Sequence, residues 1–261
     1  MTMKEDTVFI YDRTWEGMLT AVFDAFFRKT FPVAMLDEGE MPPMFAEVHH
    51  VVTDEEKAGR VFRALQKKLS SQAMNCLTVS LYSEIPALDM HLFRYICKAV
   101  KAERSIETNF ADEDVLFVTN ASRRVGRERL RMMQFVRFQK TADGTYFSMI
   151  EPDCDVLPLI LPHFSDRFSE ERWLIYDRHR RYGYYYADHQ PVRVTLEDNS
   201  PVFRLPDGKL SEEMRDEDER WYQDLWRTYF KAICIRERMN PRKHRQDLPV
   251  RYWKYLTEKQ K

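Results

Sequence analysis

Apolar and polar residues follow two different periods along the chain, and each period predicts one kind of element. Near the start, the β-rich run at residues 7–11 predicts a strand, and the pattern after it predicts a helix over residues 15–29. A second strand is expected at residues 47–52. Thr53 and Glu56 then have the spacing of a capping box, which would open a helix that ends near residue 69.

Helical spacing dominates the rest of the first half. Apolar residues recur every three or four positions over residues 72–82 and 88–101, which predicts two helices with buried faces. The chain has no internal repeat and no low-complexity linker, so a single domain over residues 1–261 is expected. If that domain has a subdomain boundary, the change of pattern puts it near residues 105–115.

The second half turns to period two after one more helix, which is expected over residues 112–131. Alternation at residues 133–139, the turn signal at residues 142–144 and the apolar run at residues 146–150 together predict a β-hairpin. Three further strand-like runs lie at residues 173–176, 182–186 and 192–196.

A long helix is expected to close the fold over residues 212–238. Its apolar stripe at helical spacing consists of Leu225, Trp226, Tyr229, Phe230 and Ile233. Such a stripe is more typical of core than of a cofactor site. The whole pattern predicts an α+β protein with a helical N-terminal part, an antiparallel β-sheet in the second half, and a closing C-terminal helix with a basic tail.

The composition excludes several classes of protein. With 44% hydrophobic residues, including 17 Phe, 13 Tyr and 5 Trp, the chain has too much apolar surface to stay disordered. Its 7 glycines are too dispersed for the Gly-rich loop of a Rossmann or P-loop phosphate site. No apolar run approaches the roughly 20 residues of a membrane span, and the acidic start is unlike a signal peptide. A cytoplasmic protein without membrane association is therefore expected.

The four cysteines, Cys76, Cys97, Cys154 and Cys234, lie far apart. Neither a disulfide framework nor a zinc or iron–sulfur site has this spacing, so the thiols are expected to be reduced and mostly buried. No bound metal and no cofactor are expected.

The net charge of −1 conceals a polarity along the chain. Residues 1–120 contain 13 basic and 19 acidic residues, whereas residues 121–261 contain 28 basic and 23 acidic ones. Clustered basic residues are typical of phosphate-binding surfaces, although a run of charge is also typical of a solvated face.

Arginines supply most of this basic charge. Arg124, Arg127 and Arg131 recur at helical spacing, which puts them on one face of the helix predicted over residues 112–131. The other candidates for binding nucleic acid are Arg137, Arg178, Arg180, Arg181, Arg242, Lys243, Arg245 and Trp253. The planar fork of arginine suits phosphate contacts, so these clusters predict a nucleic-acid-binding surface. Salt bridges to the chain's own acidic residues are an equally open alternative.

Trp253 lies among cations and tyrosines in the segment at residues 251–255, as stacking residues of single-strand binders do. The alternative is that Trp253 pins the tail to the core, because tryptophan buries a large area. The second interpretation is favoured.

An acidic motif allows a different chemistry. Glu151, Asp153 and Asp155 alternate after a predicted strand, and His163 follows them, as in a metal-dependent nuclease or a nucleotide-processing hydrolase. The favoured interpretation is that Asp153 or Asp155 caps a helix beginning near Val156, and that His163 is structural. Glu151, Asp153 and His163 are accordingly the candidate catalytic residues only under that alternative.

Several stretches together resemble a known bacterial family. They are Met133-Gln-Phe-Val-Arg-Phe138, Phe147-Ser-Met-Ile-Glu-Pro152, His163-Phe-Ser-Asp-Arg-Phe168, Trp173-Leu-Ile-Tyr-Asp177, Leu225-Trp-Arg-Thr-Tyr-Phe230, Leu248-Pro-Val-Arg-Tyr-Trp-Lys-Tyr-Leu256 and the opening Tyr11-Asp-Arg-Thr-Trp-Glu-Gly17. The chain resembles the putative or probable DNA metabolism proteins, which contain a domain of unknown function, although Arg13 stands where a glycine is expected. The resemblance implies a partner, a radical-SAM protein proposed to modify or repair DNA, and a related domain fused to uracil-DNA glycosylase-like proteins. It implies no catalytic residues.

These observations predict a non-catalytic or accessory protein of DNA metabolism or repair that binds nucleic acid and acts beside a radical-SAM enzyme. The radical-SAM chemistry itself needs three clustered cysteines, which this chain lacks. Two alternatives stay open: the nuclease or hydrolase centred on Glu151, Asp153 and His163, and a subunit that only binds other proteins.

Overall fold

The computed structural model describes residues 6–196, 208–233 and 240–259. The chain divides into two compact units, an N-terminal unit at Met1–Val125 and a C-terminal unit at Gly126–Lys261. The single domain expected from the sequence stays a prediction, since two compact units can belong to one domain. Cys234 and the last part of the predicted closing helix, residues 234–238, lie outside the described residues.

The N-terminal unit combines a small parallel sheet with helices. Its elements are β1 (Thr7–Tyr11), α1 (Trp15–Arg28), β2 (Ala34–Asp37), β3 (Glu47–His50), α2 (Glu55–Gln66), α3 (Ser71–Ser80), α4 (Leu88–Lys101) and the first part of α5 (Glu113–Phe135). The strand order is β2-β1-β3, so β1 pairs in parallel with a neighbour on each side. All five residues of β1 are buried, as expected for the centre of a sheet that is covered on both faces.

The start of α2 differs from the sequence prediction. Asp54, not Thr53, caps α2 by accepting from the amide of Lys57. Thr53 instead donates to the carboxylate of Asp12, which also accepts from Thr14. A side chain at Gly17 would collide with this carboxylate, so glycine is required there. The capping-box prediction is wrong by one position, because α2 begins at Glu55 and the residue before it, Asp54, supplies the capping carboxylate.

Arg13 adopts a φ of 53°, in the left-handed region that glycine tolerates best. The glycine expected at this position thus has a conformational reason. Arg13 occupies the same conformation at some cost, and its guanidinium pairs with Asp89 at 3.3 Å.

The C-terminal unit contains a five-stranded sheet. After the end of α5 come β4 (Gln139–Lys140), β5 (Tyr146–Ile150), α6 (Leu157–Arg167), β6 (Trp173–Asp177), β7 (Tyr182–Ala187), β8 (Gln190–Val194), α7 (Glu219–Ile233), α8 (Pro241–Asp247) and a 3-10 helix at Val250–Tyr255. The strands lie in sequence order from β4 to β8. Three pairs are antiparallel as expected, while β5 and β6 are parallel because α6 carries the chain back between them.

The α+β fold is confirmed, with helices in the first part, a sheet in the second half and a helix toward the C-terminus. Two predicted boundaries are wrong. The helix α5 continues to Phe135, so the strand predicted at residues 133–139 shrinks to β4. The closing helix begins at Glu219 and not at Glu212, since Asp216 accepts from the amide of Asp218 just before the first turn.

No helix within the described ranges combines the length and apolar character needed to cross a membrane.

Candidate functional site

The C-terminal unit holds a pocket of about 940 Å³. Its walls come from the end of α5, the strands β4 and β5, α6 and α7. The lining residues that carry the chemistry are the aromatic residues Phe138, Tyr146, Phe168, Tyr222 and Trp226, the cations Arg137, Lys140 and Arg167, and the polar residues His163, Glu171, Glu219 and Gln223. The pocket therefore offers ring faces, positive charge and hydrogen-bonding groups together.

One wall is an exposed aromatic face of α7. Tyr222 and Trp226 line the pocket one turn apart, and Tyr229 follows along the same face, with its ring centroid 5.7 Å from that of Trp226. Tyr229 is 52% exposed, Leu225 is 51% exposed and Trp226 is 37% exposed. The prediction that this stripe belongs to the core is wrong for Leu225 and Tyr229, whose side chains are about half exposed. The side chains of Phe230 and Ile233 lie outside what the structure describes.

The opposite wall is a packed aromatic cluster. Phe138 meets Phe164 and Phe168 edge to face, with centroids 5.7 and 5.3 Å apart. Trp173 is fully buried behind them and stacks on Tyr186 at 4.9 Å. This cluster makes that wall of the pocket rigid, since closely packed rings have few alternative arrangements.

Arg137 holds one side of the pocket in place. Its guanidinium pairs with Glu258 at 2.9 Å and donates to the carbonyls of Gln134 and Val136. It also lies 5.6 Å from the ring centre of Trp226. Burial opposes the charge on Glu258, but the Arg137 guanidinium outweighs it and holds the pKa of that carboxyl below its usual value. Arg137 therefore positions Trp226.

The other two cations are more accessible. Lys140 pairs with Asp216 at 3.2 Å, and this hydrogen bond raises the pKa of the lysine. Arg167 is exposed, with its guanidinium 5.8 Å from the ring of Phe168, and it has no ion-pair partner among the described residues. Arg167 is thus a cation that the pocket can offer to a ligand.

A buried polar pair lies on α7 at the base of the wall. Glu219 accepts from the backbone amide of Lys140 at 3.0 Å and from the side-chain amide of Gln223 at 2.8 Å. Both side chains are over 90% buried and both line the pocket. The carboxamide oxygen of Gln223 accepts no hydrogen bond from the part of the chain that the structure describes. The carboxylate of Glu219 can only accept a hydrogen bond, so it binds the amide nitrogen of Gln223 and thereby fixes the orientation of the carboxamide group.

The predicted arginine face of α5 exists in part. Arg124 and Arg127 are exposed, while Val115, Val118 and Val125 of the same helix are buried. Arg131 is different: it pairs with the buried Glu128 at 3.3 Å and donates to the carbonyls of Gln246 and Asp247. Arg131 thereby fastens the C-terminal segment and is less available to a ligand.

Glu128 is the centre of that attachment. It accepts from the hydroxyl of Tyr252 and from the amide of Asp153. Burial would raise its pKa, but these hydrogen bonds and the charge of Arg251 lower the pKa below its usual value. An ionised, well-satisfied carboxylate therefore holds the segment after α8 to α5.

The predicted arginine cluster in the turn between β6 and β7 consists of Arg178, Arg180 and Arg181. Arg180 pairs with Asp177 at 2.8 Å and donates to the carbonyl of Pro152, with its side chain nearly buried. Its fork is occupied, so the predicted role in binding phosphate does not fit this residue. Arg181 is exposed with a φ of 57°, and Arg178 is half-buried. None of the three lines the pocket.

The tail candidates also lie away from the pocket lining. Arg242, Lys243 and Arg245 are exposed on α8, and Lys243 pairs with Asp247 at 2.9 Å. The ring nitrogen of Trp253 donates to the carbonyl of Leu248 at 3.1 Å, and the side chain is half-buried. This geometry fits the interpretation of Trp253 as a pin.

The acidic motif does not converge on a metal site. Glu151 accepts from Tyr255 and pairs with Lys254, and Asp153 pairs with Arg251 at 2.6 Å. Asp155 accepts from the hydroxyl of Tyr182, and the N-cap of α6 is Val156, without a side-chain cap. His163 lies on α6 against Phe164 and lines the pocket. No group of three His, Cys, Asp or Glu residues within the described ranges could hold a metal ion.

The comparison with protein families is decisive for membership. The model of a family described as a domain of unknown function, DUF4130, matches residues 86–258, which is more than half of the chain. The chain belongs to the DUF4130 family. No curated protein and no solved structure matches it.

Every residue that lines the pocket lies within the DUF4130 match, so the pocket is a feature of that domain. The opening segment at residues 11–17 lies outside the match. Sequence reasoning identified Arg137 and His163 but missed the α7 wall. The available signal was the residue type, because Trp and Tyr combine a large apolar face with a polar group and are enriched on binding surfaces.

Proposed function

We propose that this DUF4130 protein is an accessory protein of DNA metabolism that binds nucleic acid at the pocket of its C-terminal unit and works with a radical-SAM enzyme. The observation that carries the binding proposal is the pocket itself. Aromatic faces for stacking bases and cations for phosphates are the two components that single-strand binding proteins combine.

Two arginines of the C-terminal unit are available for phosphates. Arg167 lines the pocket, and Arg127 is exposed on α5 one turn before Leu130, which also lines it. Each can add sequence-independent affinity by releasing counterions from the nucleic acid. The chain as a whole is nearly neutral, so this attraction is local.

The proposed partner rests on the resemblance to the DNA metabolism proteins. Cys76, Cys97 and Cys154 are separated in sequence and lie on α3, α4 and the segment before α6. These three described cysteines thus do not form the close motif of a radical-SAM cluster, and the proposal assigns that chemistry to the partner.

A salt titration tests binding. The full chain is titrated with a fluorescent oligonucleotide by anisotropy at several salt concentrations. Arg127→Gln and Arg167→Gln should each reduce the log–log salt slope by roughly 0.7 to 0.9. Arg193→Gln is the matched control, because Arg193 is exposed on β8 and does not line the pocket. Absence of salt-dependent binding in the wild-type protein would overturn the proposal.

Co-purification tests the partner separately. The tagged chain should retain its proposed radical-SAM partner when the two are co-expressed, and the complex should survive a nuclease treatment. Loss of the complex after nuclease treatment would show that DNA alone connects the two proteins and would refute direct partnership.

A further inference from the structure

We propose that the pocket receives one unpaired base of a single-stranded nucleic acid, stacked on Trp226 and Tyr222 and contacted by Gln223. This inference rests on the proposed function and specifies its ligand. It makes the α7 face a platform along which the neighbouring bases of the strand lie.

The spacing of the rings supports a strand. In a helix, residues 222, 226 and 229 lie within roughly 60° of one another, so their rings form a row. The centroids of Trp226 and Tyr229 are 5.7 Å apart and their planes differ by 36°. Successive bases of an extended strand can follow such a row, because stacking on aromatic side chains tolerates any base.

The shape of the site favours an unpaired base. A volume of about 940 Å³ is within the range of small-molecule pockets and suits a nucleotide. Tyr222 and Trp226 line this concave site. Only an unpaired base can stack on them, because the faces of a base that is still paired are covered by its neighbours in the duplex. Enzymes and binding proteins that use such pockets take the base out of its stack or bind a strand that is already single.

Gln223 can read the edge of the inserted base. Glu219 fixes one amide hydrogen of Gln223, which leaves the second hydrogen and the carbonyl oxygen as a donor and acceptor pair. This pair matches the adjacent donor and acceptor on the edge of a base. The buried position of both side chains makes such a contact dry and therefore selective.

Two exposed cations of the C-terminal unit can contact the sugar–phosphate chain of a bound strand. Arg167 is exposed at the lining and Arg127 is one turn beyond it on α5. Arg137 and Lys140 are already paired with Glu258 and Asp216 and serve mainly to keep the walls in place. The charge of the site thus complements a phosphate chain outside and a neutral base inside.

The experiment compares single-stranded and double-stranded oligonucleotides of one sequence by anisotropy with the full-length chain. Trp226→Ala should weaken binding of the single strand by about 10-fold or more, in line with the loss of one stacked base, and leave the weak duplex binding unchanged. Phe45→Ala is the matched control, because Phe45 is an exposed ring of the N-terminal unit and does not line the pocket. It should retain wild-type affinity.

Trp226→Phe keeps a ring and loses the hydrogen bond from the indole to Glu258, which is 3.1 Å long. Trp226→Phe should bind the single strand much more tightly than Trp226→Ala does. If Trp226 acted only through its hydrogen bond to Glu258, the two variants would bind equally weakly. Gln223→Leu should flatten the preference among oligonucleotides that differ at one base while leaving the salt slope unchanged. This variant keeps the inference testable if Trp226→Ala fails to fold.

The outcomes separate the two proposals. Equal affinity for both strand forms, with Trp226→Ala matching Phe45→Ala, would overturn base insertion while leaving nucleic-acid binding in place. Free deoxyadenosine monophosphate that displaces the oligonucleotide at an equal concentration would assign the pocket to a free nucleotide and refute the strand as its ligand. No binding of either strand form would overturn both proposals.

Discussion

Two helices of this protein have the same kind of sequence pattern and opposite environments. In α4 the apolar positions, among them Leu92, Tyr95 and Ile96, are buried. In α7 the corresponding stripe, with Leu225 and Tyr229, is about half exposed. Periodicity thus shows that a helix has an apolar face, but it does not show whether another element covers that face.

The chemical content of the two stripes differs in a way that explains the outcome. The buried apolar residues of α4 are mostly aliphatic, with Phe93 and Tyr95 as the aromatic members, and they pack into the core of the N-terminal unit. The exposed face of α7 carries Tyr222, Trp226 and Tyr229, whose rings can face water at lower cost because each has a polar atom. A large exposed aromatic patch on a stable domain marks a binding surface.

The largest expected effect uses the same substitution on both helices. Leu92→Ala should lower the free energy of unfolding by about 2–5 kcal/mol, because Leu92 is fully buried and the change leaves a cavity. Leu225→Ala should change it by no more than about 0.5 kcal/mol, since Leu225 is 51% exposed. Chemical denaturation of both variants measures the difference. A comparable loss in Leu225→Ala would mean that α7 is covered and would restore its predicted role in the core.

The second prediction concerns the polar side of α4. Asp114 accepts from His91, Arg94 and Lys98 of that helix at 2.7 to 2.9 Å. Burial opposes its charge, but these partners lower the pKa of Asp114 from 3.8 to about 2. Asp114→Asn should therefore cost about 2 kcal/mol of stability at neutral pH.

The pH dependence gives this prediction its sign. A carboxylate whose pKa is lowered by folding stabilises the protein above its unfolded pKa, here 3.8, and the contribution is lost as the pH falls through about 2. The difference between wild type and Asp114→Asn should shrink over that range in acid denaturation. A difference that stays constant with pH would refute the role of the ionised form.

The smallest expected effect is a difference in the reactivity of two cysteines, Cys76 and Cys97. Burial in α4 raises the pKa of the Cys97 thiol to about 12, so little thiolate is available for reaction. Cys76 is less buried. Brief alkylation of the native protein followed by peptide mass spectrometry should find Cys76 modified and Cys97 protected. Equal modification of the two would show that α4 is less tightly packed than the structure indicates.

The sequence predicted much of the fold. The bounds of α4 and β1 agree with the pattern, because a strong periodicity or a compact β-rich run leaves few alternatives. The short strand β2 was missed, since four residues give too little pattern. The extension of α5 to Phe135 was missed because three or four residues of alternation fit the last turn of a helix as well as a strand.

The site was harder to predict than the fold. Arg131, Arg137 and Arg180 had the residue type of phosphate ligands, yet each is engaged by a carboxylate of its own unit. Those carboxylates are Glu128, Glu258 and Asp177, and the contacts between Arg137 and Glu258 span a long stretch of chain that no local pattern reports. The pocket depends on the meeting of α5, α6 and α7, which only the tertiary structure defines.

The central claim is that the exposed face of α7 is a nucleic-acid-binding surface. Photocrosslinking measures this most directly: a single-stranded oligonucleotide carrying 5-iododeoxyuridine is irradiated with the full-length protein, and the crosslinked peptide is sequenced by mass spectrometry. The account predicts a crosslink at Tyr222, Trp226 or Tyr229. Crosslinks confined to α8 or to the turn between β6 and β7, with none in α7, would contradict it.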